Sequence, residues 1–538
     1  MILPTEATDT VFAYHERTKH HLNRYAAGPG GLDWADQPDP FRRFKGCDKI
    51  PLPPPGASLP VLFSELDWAE TIAVQPLNRC NLGLLLELAF GLSAWKQYGS
   101  DRWALRCNPS SGNLHPTEAY VVNADTALMP AGVYYYVSYD HALEKRCEFL
   151  PAQADSGLYI ALTSIHWREA WKYGERAYRY CQHDIGHALA AMRYAAAVLG
   201  WSLELIAECG DDELGQLLGL DRRDDFRERE GESPDLICRI RYMPSDTEQT
   251  EITDFLKNAE AAVWYGQAER LSAFHRNHWP LIDEVARAAR KPHTEEPCYR
   301  IQHLPLPVSH CDKTASAIIR QRRSAQRFDA LTYLPKSDFK RLLNAVMPSS
   351  RVPFDVWRWP PRVHLLLFVQ RVENLEPGVY LLPRAVEAEA TLRAAIAKDF
   401  DWQLVEGGFE SLPLYRLIAA DCGRAAKTLS CHQDIAGDGA FSMAMLAEFQ
   451  QPLSVSPWRY RHLFWETGLI GQALYLEAEA VGMRGTGIGC FFDDSVHEVL
   501  GFIDNRFQSL YHFTVGQPLE DSRLQTLPAY EHLKTITP

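Results

Sequence analysis

The sequence predicts an α+β fold laid out as two tandem copies. Three observations carry this. The chain has 538 residues, more than one hydrophobic core accommodates and enough for two or three domains. Short β-prone apolar runs, such as AYVV from Ala119 and GVYYYV from Gly132, alternate with longer helical stretches. The second half also repeats the first. The string YRYCQHDIGHALAAMRYAAAVLGW falls without a gap on YRHLFWETGLIGQALYLEAEAVGM, 282 residues further on. Tyr178 meets Tyr460, Arg179 meets Arg461, Gly186 meets Gly468 and Gly200 meets Gly482. The register runs on until Asp211 and Asp212 meet Asp493 and Asp494. At another offset Gly132, Val133 and Tyr134 meet Gly378, Val379 and Tyr380. A repeat of this length marks duplicated domains, and two such copies can pack about a local two-fold axis.

In chain order, residues 1–55 are an extension, helical over 14–25 and Pro-rich from Pro38 to Pro55. A first domain covers 56–245. In it Leu84, Leu85, Leu88 and Leu92 at helical spacing predict a buried helix over 82–95. Strands follow at 119–122, 132–140 and 158–165, then an Ala-rich helix over 178–199 that can pack closely on a neighbour. Residues 246–312 are charged and then Pro-rich (Pro292, Pro297, Pro305, Pro307), with a helix over 282–290, and read as a linker. A second domain covers 313–538, with its long helix over 460–481.

Composition narrows the function. A net charge of −14 argues against a nucleic-acid or anionic-membrane surface. No apolar run approaches a membrane span, and the N-terminus lacks a signal pattern. Twelve cysteines contain no CxxC pair; they read as reduced thiols of a cytoplasmic protein.

Five segments carry chemistry. RCNPSSGNLHPTEAYVV, from Arg106, pins a hydroxyl-rich turn to a buried strand. Pro109, Ser110, Ser111 and Asn113 can offer hydroxyl, amide and backbone N–H groups to a planar ring or a phosphate. SAIIRQRRSAQRFDA places Arg320, Arg322, Arg323 and Arg327 within eight residues of one another. Guanidinium groups bind phosphate bidentately; the same run would also suit an exposed helix end. RGTGIGCFFDD contains Gly487, Ile488, Gly489 and Cys490, and its glycines let backbone approach a ligand. It is not GxGxxG, so no Rossmann site follows. WREAWKYGERAYRY holds Lys172 and Tyr173, either of which can act as a base in a dry pocket beside a cation, or simply cover apolar surface. HDIGH, His183 to His187, lacks the Glu and third ligand of a zinc site.

These strings, together with YHERTKHH and FRRFKGCDKIPLP in the extension, resemble the nitroreductase family in its SagB-type, azoline dehydrogenase-like branch. The resemblance spans most of the chain. It implies FMN as cofactor, mixed sheets flanked by helices, and a fused form of an obligate homodimer with flavin at the interface. It assigns Arg322, Arg323 and Ser324 to the flavin phosphate and ribityl chain, and Gly487, Ile488, Gly489 and Cys490 to the loop over the ring. Pro109, Ser110, Ser111 and Asn113 form the loop from the opposite copy, and Arg523 in VGQPLEDSR is a further phosphate candidate. Gln326 departs from the family, which usually has a basic residue there, and this weakens stabilisation of an anionic reduced ring. Lys172 and Tyr173 match a pair implicated in azoline oxidation.

Comparing the copies, the first keeps PSSGN, while the second has RWPPRVH from Arg358 at that place. The second keeps the arginines and GTGIG, while the first has SELDWAE from Ser64 and LELIA from Leu203. One composite site is complete and its mate has lost all three parts. The expectation is therefore an FMN-dependent dehydrogenase of a heterocycle in a peptide or small metabolite, with a biosynthetic partner protein. The alternatives are an NAD(P)H-dependent nitro or quinone reductase and a non-catalytic flavoprotein scaffold.

Overall fold

The computed structural model describes residues 4–149, 157–242, 252–299, 311–407, 409 and 411–534. Two sheets share one strand order. The first runs Val263–Trp264, Ala142–Glu148, Gly132–Val137, Thr117–Asn123, Leu158–Ser164, Ser233–Arg241, Ser202–Leu205. The second runs Gln403–Leu404, Tyr415–Ala419, Gly378–Leu382, Val363–Val369, Phe441–Glu448, Phe507–Gly516, Arg484–Ile488. Every described pair in both sheets is antiparallel. The α+β class holds, but these ladders are not mixed in direction. Short turns such as 138–141 join neighbouring strands, and a short turn enforces antiparallel pairing.

Side chains alternate across each strand. Ala119 and Val121 face a central core, Tyr120 and Val122 an outer one. In the second sheet Leu365 and Leu367 face the same central core, Leu366 and Phe368 a third. Two long helices, Ala177–Val198 and Arg459–Ala480, fill the space between the sheets. The molecule thus layers as outer helices, sheet, central helix pair, sheet, outer helices.

The two central helices touch backbone to backbone. A Cβ on Gly186 would strike the backbone of Trp465, and one on Gly468 would strike the backbone of His183 and His187. These glycines are the equivalent residues of the repeat. The ion pairs around them are reciprocal: Arg179 pairs with Asp493 at 2.7 Å and its counterpart Arg461 with Asp211 at 2.8 Å. Tyr178 and its counterpart Tyr460 lie nearly parallel, 3° apart with centroids 6.4 Å apart, as expected of residues beside a two-fold axis.

Three local expectations shift. The N-terminal helix is Pro4–Arg17 rather than 14–25. Beyond it Lys19 binds Asp494 at 2.7 Å and the His20 N–H donates to Asp493 at 2.9 Å, drawing the chain out of helix. Tyr14 of this helix is buried edge-on against both Tyr178 and Tyr460. The buried helix of the first copy is Arg79–Phe90 and stops at Gly91. The next residues, Leu92–Tyr98, form a strand paired with Asp101–Arg106 and with Gln525–Leu527. The stretch 246–312 does more than connect: Val263–Trp264 edges the first sheet, Gln267–Ala268 pairs with Phe44–Lys45, and a helix spans Pro280–Ala288. Pro305 and Pro307 lie outside the described residues.

Gly468→Ala is expected to lower the thermal midpoint, since overpacking of this kind costs about 1–3 kcal/mol. Gly215→Ala is the control: its Cβ would meet only Pro234, at 3.9 Å, and replacing a mid-helix glycine gains about 0.5–1 kcal/mol. Equal midpoints for the two variants, by calorimetry, would overturn the close-crossing account.

Candidate functional site

Segments far apart in sequence meet in one cavity of about 730 Å³. Pro109, Ser110, Ser111 and Asn113 line it from the first half. Arg322, Arg323, Ser324, Gln326, Gly487, Ile488, Gly489 and Cys490 line it from the second.

The arginine wall begins at the helix Ala315–Gln321, capped by Thr314 and ending at Arg322. The Arg322 guanidinium donates to the Cys107 and Arg106 carbonyls at 3.0 and 3.1 Å and lies over the Tyr475 ring at 5.0 Å. Its Nη1 is buried without a hydrogen-bond partner among the described residues. Arg323 donates to the Ser93 hydroxyl and to the Arg320 and Arg322 carbonyls. Burial and the Arg322 charge bring its pKa down to about 10. Arg320 is turned away, paired with Glu87 at 2.9 Å. Arg327 is exposed and is not part of the lining.

The glycine loop is tied to this wall. The Ala325 N–H donates to the Gly485 carbonyl, and the Tyr475 hydroxyl contacts both the Ser324 hydroxyl, at 2.8 Å, and the Gly487 N–H, at 2.9 Å. A side chain at Gly487 would collide with the Tyr511 hydroxyl.

The opposite wall is the PSSGN turn, carried between the strands Asp101–Arg106 and Thr117–Asn123. Ser110 Oγ accepts the His115 N–H at 2.7 Å. Ser111 donates both its N–H, at 3.1 Å, and its hydroxyl, at 2.9 Å, to Asp184. Tyr180, Asp184 and His187 lie at helical spacing along one stripe of the first central helix and all line the cavity. The sequence reading missed Tyr180, Asp184 and His187 as a group. The available signal was polar residues at that spacing on a helix otherwise built for the core.

Burial pushes the Asp184 carboxyl up to about 7, against the pull of its Ser111 and Ser110 hydrogen bonds. Glu169 is wholly buried, with neither carboxyl oxygen hydrogen-bonded among the described residues. Burial and then the Asp184 charge raise its pKa well above the carboxylate range. Burial lowers His187 to about 3, so its ring is neutral beside the Tyr511 hydroxyl at 3.1 Å. His183 points elsewhere, against the Thr467 hydroxyl at 2.8 Å.

Two expected site residues fall outside the lining. Lys172 sits over the Tyr173 ring at 5.3 Å while Tyr173 alone lines the cavity. Burial, then the Glu169 charge, raises the Tyr173 phenol well above its ordinary pKa, so it is a proton donor at neutral pH rather than a base. Arg523 is largely exposed and folds back onto Asp521 at 2.6 Å; a carboxylate two residues away captures it before it can reach the cavity.

The repeat-related position is filled by protein. Glu466, the counterpart of Asp184, accepts the Arg362 N–H at 2.9 Å and pairs with Arg384. Arg358 reaches the Leu205 carbonyl, the counterpart of Gly487, at 3.4 Å. Trp359 packs on His462, the counterpart of Tyr180, with centroids 3.8 Å apart.

Residues 319–517 match the model of the nitroreductase family. The match lies within the second half of the chain. That family is one of oxidoreductases. A candidate nitroreductase of Methanocaldococcus jannaschii is 26% identical over 155 residues, which are 27% of this chain and 75% of the relative. Among solved structures, a candidate nitroreductase from Anabaena variabilis matches with a TM-score of 0.66 at 22% identity, covering 95% of this chain and 99% of that one. The same fold therefore extends over both halves of the chain. No helix among the described residues is long and apolar enough to cross a membrane.

Asp184 gives a test of the site's electrostatics. Its native pKa lies above the unfolded value of 3.8, so it contributes most favourably when protonated. That contribution is lost as pH rises from the unfolded value to about 7. Asp184→Asn keeps an acceptor for Ser111 and is never charged. Its thermal midpoint, relative to wild type, should climb across that window and level off above it. A constant difference between pH 4 and 8 would mean that Asp184 is ionised throughout.

Proposed function

We propose that the cavity binds FMN and that the protein is an FMN-dependent oxidoreductase. One observation carries this reading. The arginine segment and glycine loop of one copy and the serine loop of the other line one cavity, where Arg322 has a buried guanidinium nitrogen without a partner among the described residues. The donor set suits the group: Arg322 keeps a guanidinium nitrogen without a partner among the described residues for a phosphate oxygen, Ser324 lies beside it, and Gly487 presents bare backbone at the cavity wall. The cavity volume falls in the range of small-molecule sites. Bound there, FMN would supply two-electron chemistry at its ring, with the protein providing position and electrostatics.

Within that class we favour a SagB-type dehydrogenase of an azoline-like heterocycle. Removing hydrogen from carbon requires a group that takes the proton, and Asp184, poised near neutrality at the cavity wall, is suited to it. This moves the base from Lys172 and Tyr173 to Asp184. Tyr173 becomes a hydrogen-bond donor to substrate, and Lys172 a neighbour that packs on it. Glu169 lies buried behind Asp184, and burial drives it toward its neutral form.

The protein should be yellow, with one FMN per chain. Arg322→Ala should weaken FMN binding roughly ten- to a hundredfold, since a charge-assisted contact contributes about 1.5–3 kcal/mol. Glu65→Ala, at the repeat-related position of the first copy, should leave it unchanged. Flavin fluorescence titration of both variants, and absorbance of released flavin against protein, provide the readouts. Equal weakening of both, or two FMN per chain, would overturn the composite site. Asp184→Asn should retain FMN and slow anaerobic reduction of the flavin by substrate by about 10²–10⁴-fold; an unchanged rate would remove it from the chemistry.

A further inference from the structure

The glycine loop ends at Cys490, which lines the cavity. Its Sγ lies 2.7 Å from the Sγ of Cys431. The two residues are brought together by different elements. Cys431 follows the helix Gly423–Leu429, and Cys490 follows the strand Arg484–Ile488. The loops are clasped to each other: Gln433 Nε2 donates to the Cys490 carbonyl at 3.1 Å, and the Phe492 N–H donates to the Leu429 carbonyl at 2.9 Å. Cys431 and His432 both have left-handed backbone, φ +54° and +59°. Consecutive non-glycine residues seldom adopt it, and such strain gathers at functional sites.

The surroundings favour a thiolate on Cys490. The His20 imidazole stands beside it and helps to hold its pKa down. The Ala26 N–H occupies His20 Nδ1 at 2.9 Å, so the neutral ring carries its proton on Nε2, the nitrogen left for sulphur. Arg176 stands close by, its Nη2 donating to the Gly489 carbonyl at 3.2 Å. Hydrogen bonding from Cys431 and from His20 lowers the Cys490 pKa, while the same sulphur contact raises that of Cys431. One thiol ready to attack and one ready to be the partner is the division of labour in a redox-active pair. Among the described residues the other cysteines lie outside the cavity lining.

We propose that Cys431 and Cys490 form a dithiol–disulfide couple that exchanges two electrons with the isoalloxazine ring bound in the cavity. This rests on the FMN reading above. In the oxidising direction the two thiols give up two protons and two electrons, the S–S bond forms, and the oxidised flavin takes up both electrons and both protons. The reverse reaction cleaves the disulfide and returns the flavin to its oxidised form. The pair would give the cavity a second two-electron store and a route by which thiol or disulfide substrates exchange electrons with the flavin.

The test is an anaerobic dithionite titration of the FMN-loaded, air-oxidised protein, with alkylation and peptide mass mapping at each end point. Wild type should take up four electrons per flavin, and Cys431→Ser and Cys490→Ser two. The map of oxidised wild type should show a Cys431–Cys490 disulfide and that of the reduced protein two alkylated thiols. A yellow wild type that takes up two electrons, with both cysteines alkylated throughout, overturns the couple and leaves the FMN reading intact. A protein that stays colourless with FMN overturns the FMN reading itself. Mapping on wild type needs no variant to fold.

Discussion

Gly186 and Gly468 let two buried helices meet without side chains between their backbones, and the rest of the molecule depends on that contact. Any side chain there would push the helices apart. Separation would pull Arg179 from Asp493 and Arg461 from Asp211, a reciprocal couple among the ion pairs that tie each half to the other. It would also open the cavity, because its walls come from both sides of the crossing. Asp184 and His187 lie within a turn of Gly186, and Tyr475 lies two turns beyond Gly468. A shift of the helices thus becomes directly a shift of the site.

Duplication supplies two equivalent crossings of loop and helix, and the chain has made them unequal. On one side Asp184 holds the Ser111 turn open as a wall. On the other Glu466 holds the Arg362 backbone in the same manner, but Trp359 and Arg358 occupy the space. The pattern of backbone support survives in both places while the side chains have diverged. Filling the second position with Trp359 buries apolar surface that an open cavity would leave wet. The N-terminal segment breaks the symmetry further. Tyr14 covers the paired Tyr178 and Tyr460, and His20 reaches the glycine loop of the second half alone.

Electrostatics inside the retained cavity follow from dryness. Five basic residues line it, Lys96, Arg106, Arg322, Arg323 and Arg484, yet most of their donors are spent on protein carbonyls and carboxylates. Arg106 and Arg322 are placed deep, each with one buried nitrogen unpartnered among the described residues. Asp184 has hydrogen bonds but no cation beside it, so burial raises it where a paired carboxylate would be lowered. Asp493 shows the contrast: equally buried, it is held well below the usual range by Arg176 and Arg179 despite its burial.

What the sequence determined by itself was whatever lies in local order. Residue-by-residue register between the halves revealed the duplication, the glycine pair and the long helices. The serine, arginine and glycine segments line one cavity, as their uneven survival between copies led one to expect. These features are legible because each is a run of neighbours whose chemistry is readable without knowing the fold. Tertiary structure decided everything that depends on which surfaces are brought together and dried. Asp184 lies two positions before Gly186 in an ordinary-looking helix, and only burial against Ser111 moves its pKa. Tyr173 was readable as a base or as cover for apolar surface, and only its burial shows that its phenol keeps its proton. Arg523 was a weaker phosphate candidate than Arg322 on paper, and Asp521 pairs with it outside the cavity lining. Cys431 and Cys490 are separated by two strands of the second sheet and a central helix, so no spacing rule connects them. Their contact exists because two loops are clasped across the end of that sheet.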